Sequence, residues 1–217
     1  MKRNHALLII LGVLLIDQFT KIYVKTHFFY GREGAYEVFS WFKIFFIENE
    51  GAAWGTKISD ILPISDKAGK LILTLFRLVA IGGIGYWLKG IIEKQAPRIL
   101  IISVALIFAG AFGNIIDSLF YGLIFDDSSR DHVASLFAED PYGSLFYGRV
   151  VDMLYFPMID TTWPDWVPFK GGEPLRFFEP VFNIADMAIS FGVGLLLVFN
   201  KKAFASLESS KQEEEED

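Results

Sequence analysis

Four long apolar runs, at about residues 5–25, 71–88, 99–121 and 181–199, constrain this chain more than any other feature. Each is close to the ~20 residues that carry a helix across a bilayer core. Backbone polar groups inside lipid have no water to bond, so such runs span as helices. The expected fold is mainly α and integral to the membrane: a four-transmembrane-helix bundle with a small β element in the first outer loop. Residues 1–205 are expected to form one domain, with 206–217 as an acidic cytoplasmic tail. The first run opens like a signal peptide, with Lys2 and Arg3 before Leu7–Ile16, but no Ala-x-Ala site follows. Asp17–Val24 continues at helical spacing instead, so the segment reads as a retained span.

The loops differ in character. Residues 26–70 contain Glu37–Glu48, too short to span and rich in aromatic and β-branched residues, which reads as a strand. The small residues of Asn49–Gly55 permit a turn and close backbone approach. Residues 122–180 form a longer loop with Trp163-Pro-Asp-Trp166 and Gly171-Gly172. Gly82, Gly83 and Gly85 in the second run suit close helix packing. Lys2, Arg3, Lys89, Lys94, Arg98, Lys201 and Lys202 lie in short flanks on one side, which the positive-inside tendency makes cytoplasmic. Both termini are then cytoplasmic and both long loops outside. The formal charge of −6 says little about partners, because Glu213–Asp217 supply five of the negative charges in a run that reads as a solvated tail.

Polar residues inside the apolar runs carry the chemistry. A carboxylate at membrane depth costs at least about 2.5 kcal/mol on insertion scales, so it faces a polar cavity or a partner. Asp17 and Lys21 are four apart and can pair on one helix face. Asn114 and Asp117 are three apart, as are Asn183 and Asp186, and each pair would share a face inside its helix. Asp152 adds a carboxylate from the second loop. All the membrane-depth groups fall toward one end of their spans. Residues alone support either a membrane enzyme or a proton- or ion-coupled transporter subunit with a carboxylate site at the outer face. A structural scaffold would leave these groups without a purpose. A transporter would be expected to show an inverted repeat or a path of carboxylates across the membrane, and neither is visible.

Several chemistries are excluded. The chain has no cysteine, hence no thiol nucleophile, disulfide or thiolate metal site. His5, His27 and His132 are scattered, and no Gly-x-Ser-x-Gly, Asp-Thr-Gly or His-Glu-x-x-His motif occurs. No metal, organic cofactor or nucleic-acid partner is implied.

Five motifs together resemble signal peptidase II, the lipoprotein signal peptidases: Asp17-Gln-Phe-Thr-Lys21, Asn49-Glu-Gly-Ala-Ala-Trp54, Gly113-Asn-Ile-Ile-Asp117, Val150-Val-Asp-Met153 and Phe182-Asn-Ile-Ala-Asp186. They occur in the family's order on a four-span chain of similar length. The resemblance implies an intramembrane aspartic endopeptidase of the bacterial inner membrane. Such an enzyme removes signal peptides from prolipoproteins before a diacylglyceryl-modified cysteine. Carried over by motif, it implies a catalytic dyad of Asp152 and Asp186. Asn114, Asp117 and Asn183 would line and orient the site, Asp17 and Lys21 would support it, and Asn49 and Gly51 would lie near substrate. Modified prolipoproteins and membrane lipids are the implied partners of a monomeric enzyme. Two departures stand out. Ser118 occupies a position where the family usually has Arg, so either Asp117 lacks its usual partner or another cation, such as Arg77 or Arg149, serves. Asp152 also lies 35 residues after Asp117, and Asp186 another 34 on, well beyond the family's usual spacing.

Overall fold

The computed structural model describes residues 3–50, 56–157, 159–177 and 180–205. Its frame is α1 (Arg3–His27), α2 (Asp66–Glu93), α3 (Arg98–Ile116) and α4 (Ile184–Val198). The first two are long and apolar enough to cross a membrane, and so is α3 counted with its continuation to Ile124. The shorter α4 is followed by a break at Phe199 and further helical residues over 200–205.

Local chemistry fixes the helix ends. Ser65 caps α2 by accepting from the Ala68 N–H at 3.2 Å, and Asp66 sits in the first turn, where the helix dipole favours an anion. The helix stops at Lys94. Gln95 follows in the left-handed region (φ 51°), and Pro97 starts α3. This short connection makes α2 and α3 antiparallel neighbours.

α3 is the central helix, with α1, α2 and α4 packed on it. Its Leu100, Ile101, Val104, Ala105 and Ala109 are completely buried. Outward faces are apolar too: Leu8, Leu15 and Phe19 of α1, Phe76 and Val79 of α2 and Leu197 of α4 are all more than half exposed. In water such faces would be unstable; in lipid they are the expected surface. Close helix contact comes at Gly110 and Gly113 of α3. A Cβ at Gly110 would lie 2.2 Å from the Ala185 carbonyl oxygen, and one at Gly113 would lie 2.7 Å from Asp17 Oδ2. Gly82 and Gly83, expected to serve close packing, have no neighbour within 4 Å of such an atom, and only Gly85 packs, against Phe108.

The β element is larger than a first-loop feature. Glu37–Glu48 is not one strand: the chain turns at Ser40–Trp41, giving β1 (Gly31–Phe39) and β2 (Phe42–Asn49). The second loop adds β3 (Val150–Tyr155) and, after the hairpin β4 (Ile159–Thr162)–β5 (Pro174–Phe177), β6 (Val181–Phe182). β1, β2, β3 and β6 form one antiparallel sheet in that order. A single-sequence reading missed the sheet because its pairings join segments about a hundred residues apart, such as Ile47 with Asp152.

Past Ile116, α3 widens into a π turn (Asp117–Tyr121) and ends with Gly122–Ile124. The chain then doubles back along that end. Amides of Phe137, Tyr142, Gly143, Phe146 and Gly148 donate to carbonyls of Ile124, Phe125, Gly122, Leu119 and Ser118. Helix-end carbonyls without an intrahelical donor need such partners. Close approach requires Gly148, where a Cβ would sit 1.9 Å from the Asp117 carbonyl oxygen.

Candidate active site

Asn183 and Asp186 are not both inside a helix, as their spacing suggested. Asn183 is the extended N-cap residue of α4 and Asp186 is in its first turn. The Asn183 side-chain oxygen Oδ1 accepts from the Asp186 backbone N–H at 2.9 Å, and the Asp186 carboxylate accepts from the Asn183 backbone N–H at 3.4 Å. This reciprocal capping box stabilises the start of the helix. It also fixes the Asn183 amide: its oxygen is used, so its NH2 faces Asp152 Oδ1 (2.7 Å), Asn114 Oδ1 (3.1 Å) and the Val151 carbonyl (3.2 Å).

Below this lies a buried charge cluster. Lys21 Nζ is 3.0 Å from Asp17 and 2.8 Å from Asp117, and all three side chains are excluded from solvent. It donates to Asn114 Oδ1 as well, at 2.8 Å. An ammonium can only donate, so the Asn114 NH2 must point the other way, and it reaches Asp186 Oδ1 at 2.8 Å. Asp17 further accepts from the Ala185 N–H at 2.8 Å, tying α1 to the start of α4. Asp117 accepts from the Val151 N–H at 3.3 Å, tying the end of α3 to β3. Gln18, quoted in its motif but not singled out, donates to Asp117 at 3.0 Å and accepts from the Tyr121 hydroxyl at 3.1 Å. Its position beside Asp17 was the only signal available.

Asp152 and Asp186 thus stand on opposite sides of the Asn183 amide and line one cavity of about 600 Å³ with Asn49, Arg77, Asn114 and Phe182. Asp152 is 4% exposed. Burial, and then the neighbouring Asp186, push its carboxyl up to about 7 against the pull of Lys21 and Asn183. The fold brings together all the candidate residues except Gly51, which lies outside the described residues with the rest of 51–55 and the tail 206–217.

The two candidate substitutes for an arginine at position 118 part company. Arg149 is engaged elsewhere, with Glu48 (3.0 Å), Glu50 (3.0 Å) and Asp127 (2.6 Å). Arg77, from α2, lines the cavity and reaches Ser118 Oγ at 3.4 Å, and its charge interacts with those of Asp186, Asp152 and Asp117.

The sequence profile of signal peptidase (SPase) II matches residues 9–201. A lipoprotein signal peptidase of Porphyromonas gingivalis is 44% identical over 209 residues, covering 95% of this chain and 87% of that protein. One from Amoebophilus asiaticus is 35% identical over 200 residues, covering 90% and 76%. A solved bacterial membrane enzyme shares the fold, with a TM-score of 0.56 at 24% identity over 90% of this chain and 92% of that one. These similarities leave the transporter reading without support. The chain belongs to the signal peptidase II family and is a membrane-embedded aspartic peptidase of that type.

Proposed function

We propose that Asp152 and Asp186 form the catalytic dyad with which this enzyme removes prolipoprotein signal peptides, cutting the bond before the diacylglyceryl-modified cysteine. The observation that carries the assignment is the shared cavity, where two carboxylates from different elements are aimed by Asn183 and Asn114. Two like charges in one poorly solvated site share a proton and titrate as a unit. Burial and the neighbouring carboxylate raise the Asp152 carboxyl, which favours one proton held between the two near neutral pH, so that one member serves as acid and the other as base. Water adds to the scissile carbonyl carbon as its proton passes to the ionised member of the pair, while the protonated member donates to the carbonyl oxygen. Collapse of the tetrahedral species re-forms the carbonyl and breaks the C–N bond: a hydroxyl proton returns to the carboxylate that acted as acid, and the departing amine takes the proton that the base had accepted, which restores the pair. Asn49 and Gly51 contact substrate in this scheme. Asp17, Lys21 and Asp117 hold Asn114 and β3 in place.

The enzyme is a four-span monomer of the bacterial inner membrane, with 1–205 as its single domain. Its termini and the tail 206–217 are cytoplasmic, and the dyad opens toward the periplasmic face. The distribution of charge supports this orientation. Arg3, His5, Glu93, Gln95 and Arg98 line one cavity, so the N-terminus and the α2–α3 connection share an end. Ala6, Leu88, Ala96 and Ala203 pack together there, whereas Val24, Tyr121 and Met153 belong to the cluster beside the sheet.

The test is cleavage by the purified, detergent-solubilised protein of a diacylglyceryl-modified prolipoprotein and its unmodified precursor. Cleavage of the modified form alone, lost in Asp152→Asn and in Asp186→Asn, is the expected result. Turnover retained by either variant would remove the dyad assignment.

A further inference from the structure

A second cavity, of about 470 Å³, lies between the start of α2 and the doubled-back segment that follows α3. Lys57, Lys67, Lys70 and Arg149 line it, against two carboxylates, Glu50 and Asp66. Three of these cations have distinct standings. Lys57 pairs with Glu50 (3.1 Å) and Asp66 (2.8 Å), and Arg149 pairs with Glu48, Glu50 and Asp127. Lys70 Nζ is buried and has no hydrogen-bond partner among the described residues. An ammonium withdrawn from water without a partner is costly, and an anion bound beside it would offset that cost.

The surroundings are built rather than incidental. One turn after Lys70, Thr74 Oγ donates to the Phe146 carbonyl at 3.2 Å, which fastens the doubled-back segment to α2. The Arg149 N–H donates to the Tyr142 hydroxyl at 2.8 Å, and the Arg149 guanidinium lies 4.7 Å from the centre of the Tyr142 ring. Ile58 and Leu73 give the cavity apolar walls, and the adjoining Ile61 and Leu62 are 75% and 50% exposed. The unpartnered ammonium of Lys70 therefore sits at the end of a membrane-crossing helix, next to an apolar surface.

We propose that this cavity binds the phosphate of an anionic phospholipid, with Lys70 as the principal contact and Lys57 and Lys67 at the rim. A lysine is a point-charge phosphate ligand, and the same attraction of a basic pocket for a lipid phosphate applies at either face of the membrane. Apolar walls favour a lipid phosphate over a free one, because a soluble ion has no use for them. The site is separate from the dyad cavity: Lys70 and Lys57 do not line the latter.

The experiment titrates the delipidated, detergent-solubilised protein with dioleoylphosphatidylglycerol, with dioleoylglycerol, which lacks the phosphate, and with inorganic phosphate. Bound lipid is read by native mass spectrometry and by the shift in melting temperature. The phospholipid should bind at least ten-fold more tightly than the diacylglycerol. Lys70→Met should erase that preference, and Lys57→Gln, at a more exposed position, should weaken it several-fold. Inorganic phosphate binding as tightly as the phospholipid, and lost in Lys70→Met, would replace the lipid with a soluble source. Equal binding of the two lipids, or a preference intact in both variants, would overturn the proposal.

Discussion

Lys21 holds two carboxylates and an amide by direct contacts of 2.8–3.0 Å. Removing it leaves Asp17 and Asp117 buried and uncompensated, a kind of change that costs about 3–5 kcal/mol. Lys21→Met should therefore lower the melting temperature sharply and abolish turnover, and Lys21→Arg should not restore it, because a planar fork cannot replace three donors converging from one nitrogen. Asp152 yields a prediction of opposite sign. Its folded carboxyl is raised to about 7 from an ordinary value near 3.9, so the folded state prefers the proton and loses stability as pH rises from ~4 through ~7. Asp152→Asn should be inactive yet more stable than the parent above pH 7, as a pH series of melting temperatures would reveal. In the parent, kcat/KM should fall as pH rises through ~7. Arg77 is the cation expected to stand in for the family's arginine beside Asp117. Arg77→Ala should reduce kcat, whereas Arg149→Ala should leave it nearly unchanged; equal activity in both variants and the parent would sink that role.

At the scale of elements, helix approach sets the geometry of the site. A methyl group at Gly110 would meet the Ala185 backbone, which cannot move without displacing the start of α4 and Asp186 with it. Gly110→Ala should destabilise the protein by about 1–3 kcal/mol and lower kcat more than it raises KM, measured by thermal unfolding and steady-state kinetics on one preparation. The helices were legible in the sequence because each is a local pattern. The Asp17–Lys21 pair was legible for the same reason, with both residues on one turn of one helix. Asn183 was misread because an N-cap and an interior residue have the same i, i+3 relation to Asp186. The sheet escaped because β2 and β3 are distant in sequence and separated by α2 and α3. Nor could spacing have chosen between Arg77 and Arg149. That choice depends on Arg149 meeting Glu48, Glu50 and Asp127.

Taken as a whole molecule, the protein has an aromatic row that joins the sheet's exposed tip to the dyad cavity. Phe39 stacks on Trp41 at 5.3 Å, Trp41 on Phe156 at 6.0 Å, and Phe156 on Phe182 at 5.5 Å. Trp41 is 58% exposed, and Phe182 lines the cavity. Aromatic rings favour the membrane–water interface, so the sheet is expected to rest there. Trp41→Ala should raise KM for a lipid-modified substrate more than it lowers kcat, and the parent should lose part of its tryptophan fluorescence to brominated lipids that the variant retains.

β6 passes into α4 through Asn183 alone, while β6 is itself paired with β3, the strand that carries Asp152. Across the sheet, the two aspartates are thus joined through a strand pairing and a helix cap. The gap between the two proposed catalytic aspartates is therefore expected to keep its width as the peptide enters. Because the chain contains no cysteine, this is open to a direct trial. Leu154→Cys combined with Phe182→Cys, facing residues of β3 and β6, introduces two thiols that have only each other as partners within one molecule. Oxidising that variant should bolt the strands together and leave its turnover equal to that of its own reduced form; a loss confined to the oxidised form would mean that the seam works as a hinge.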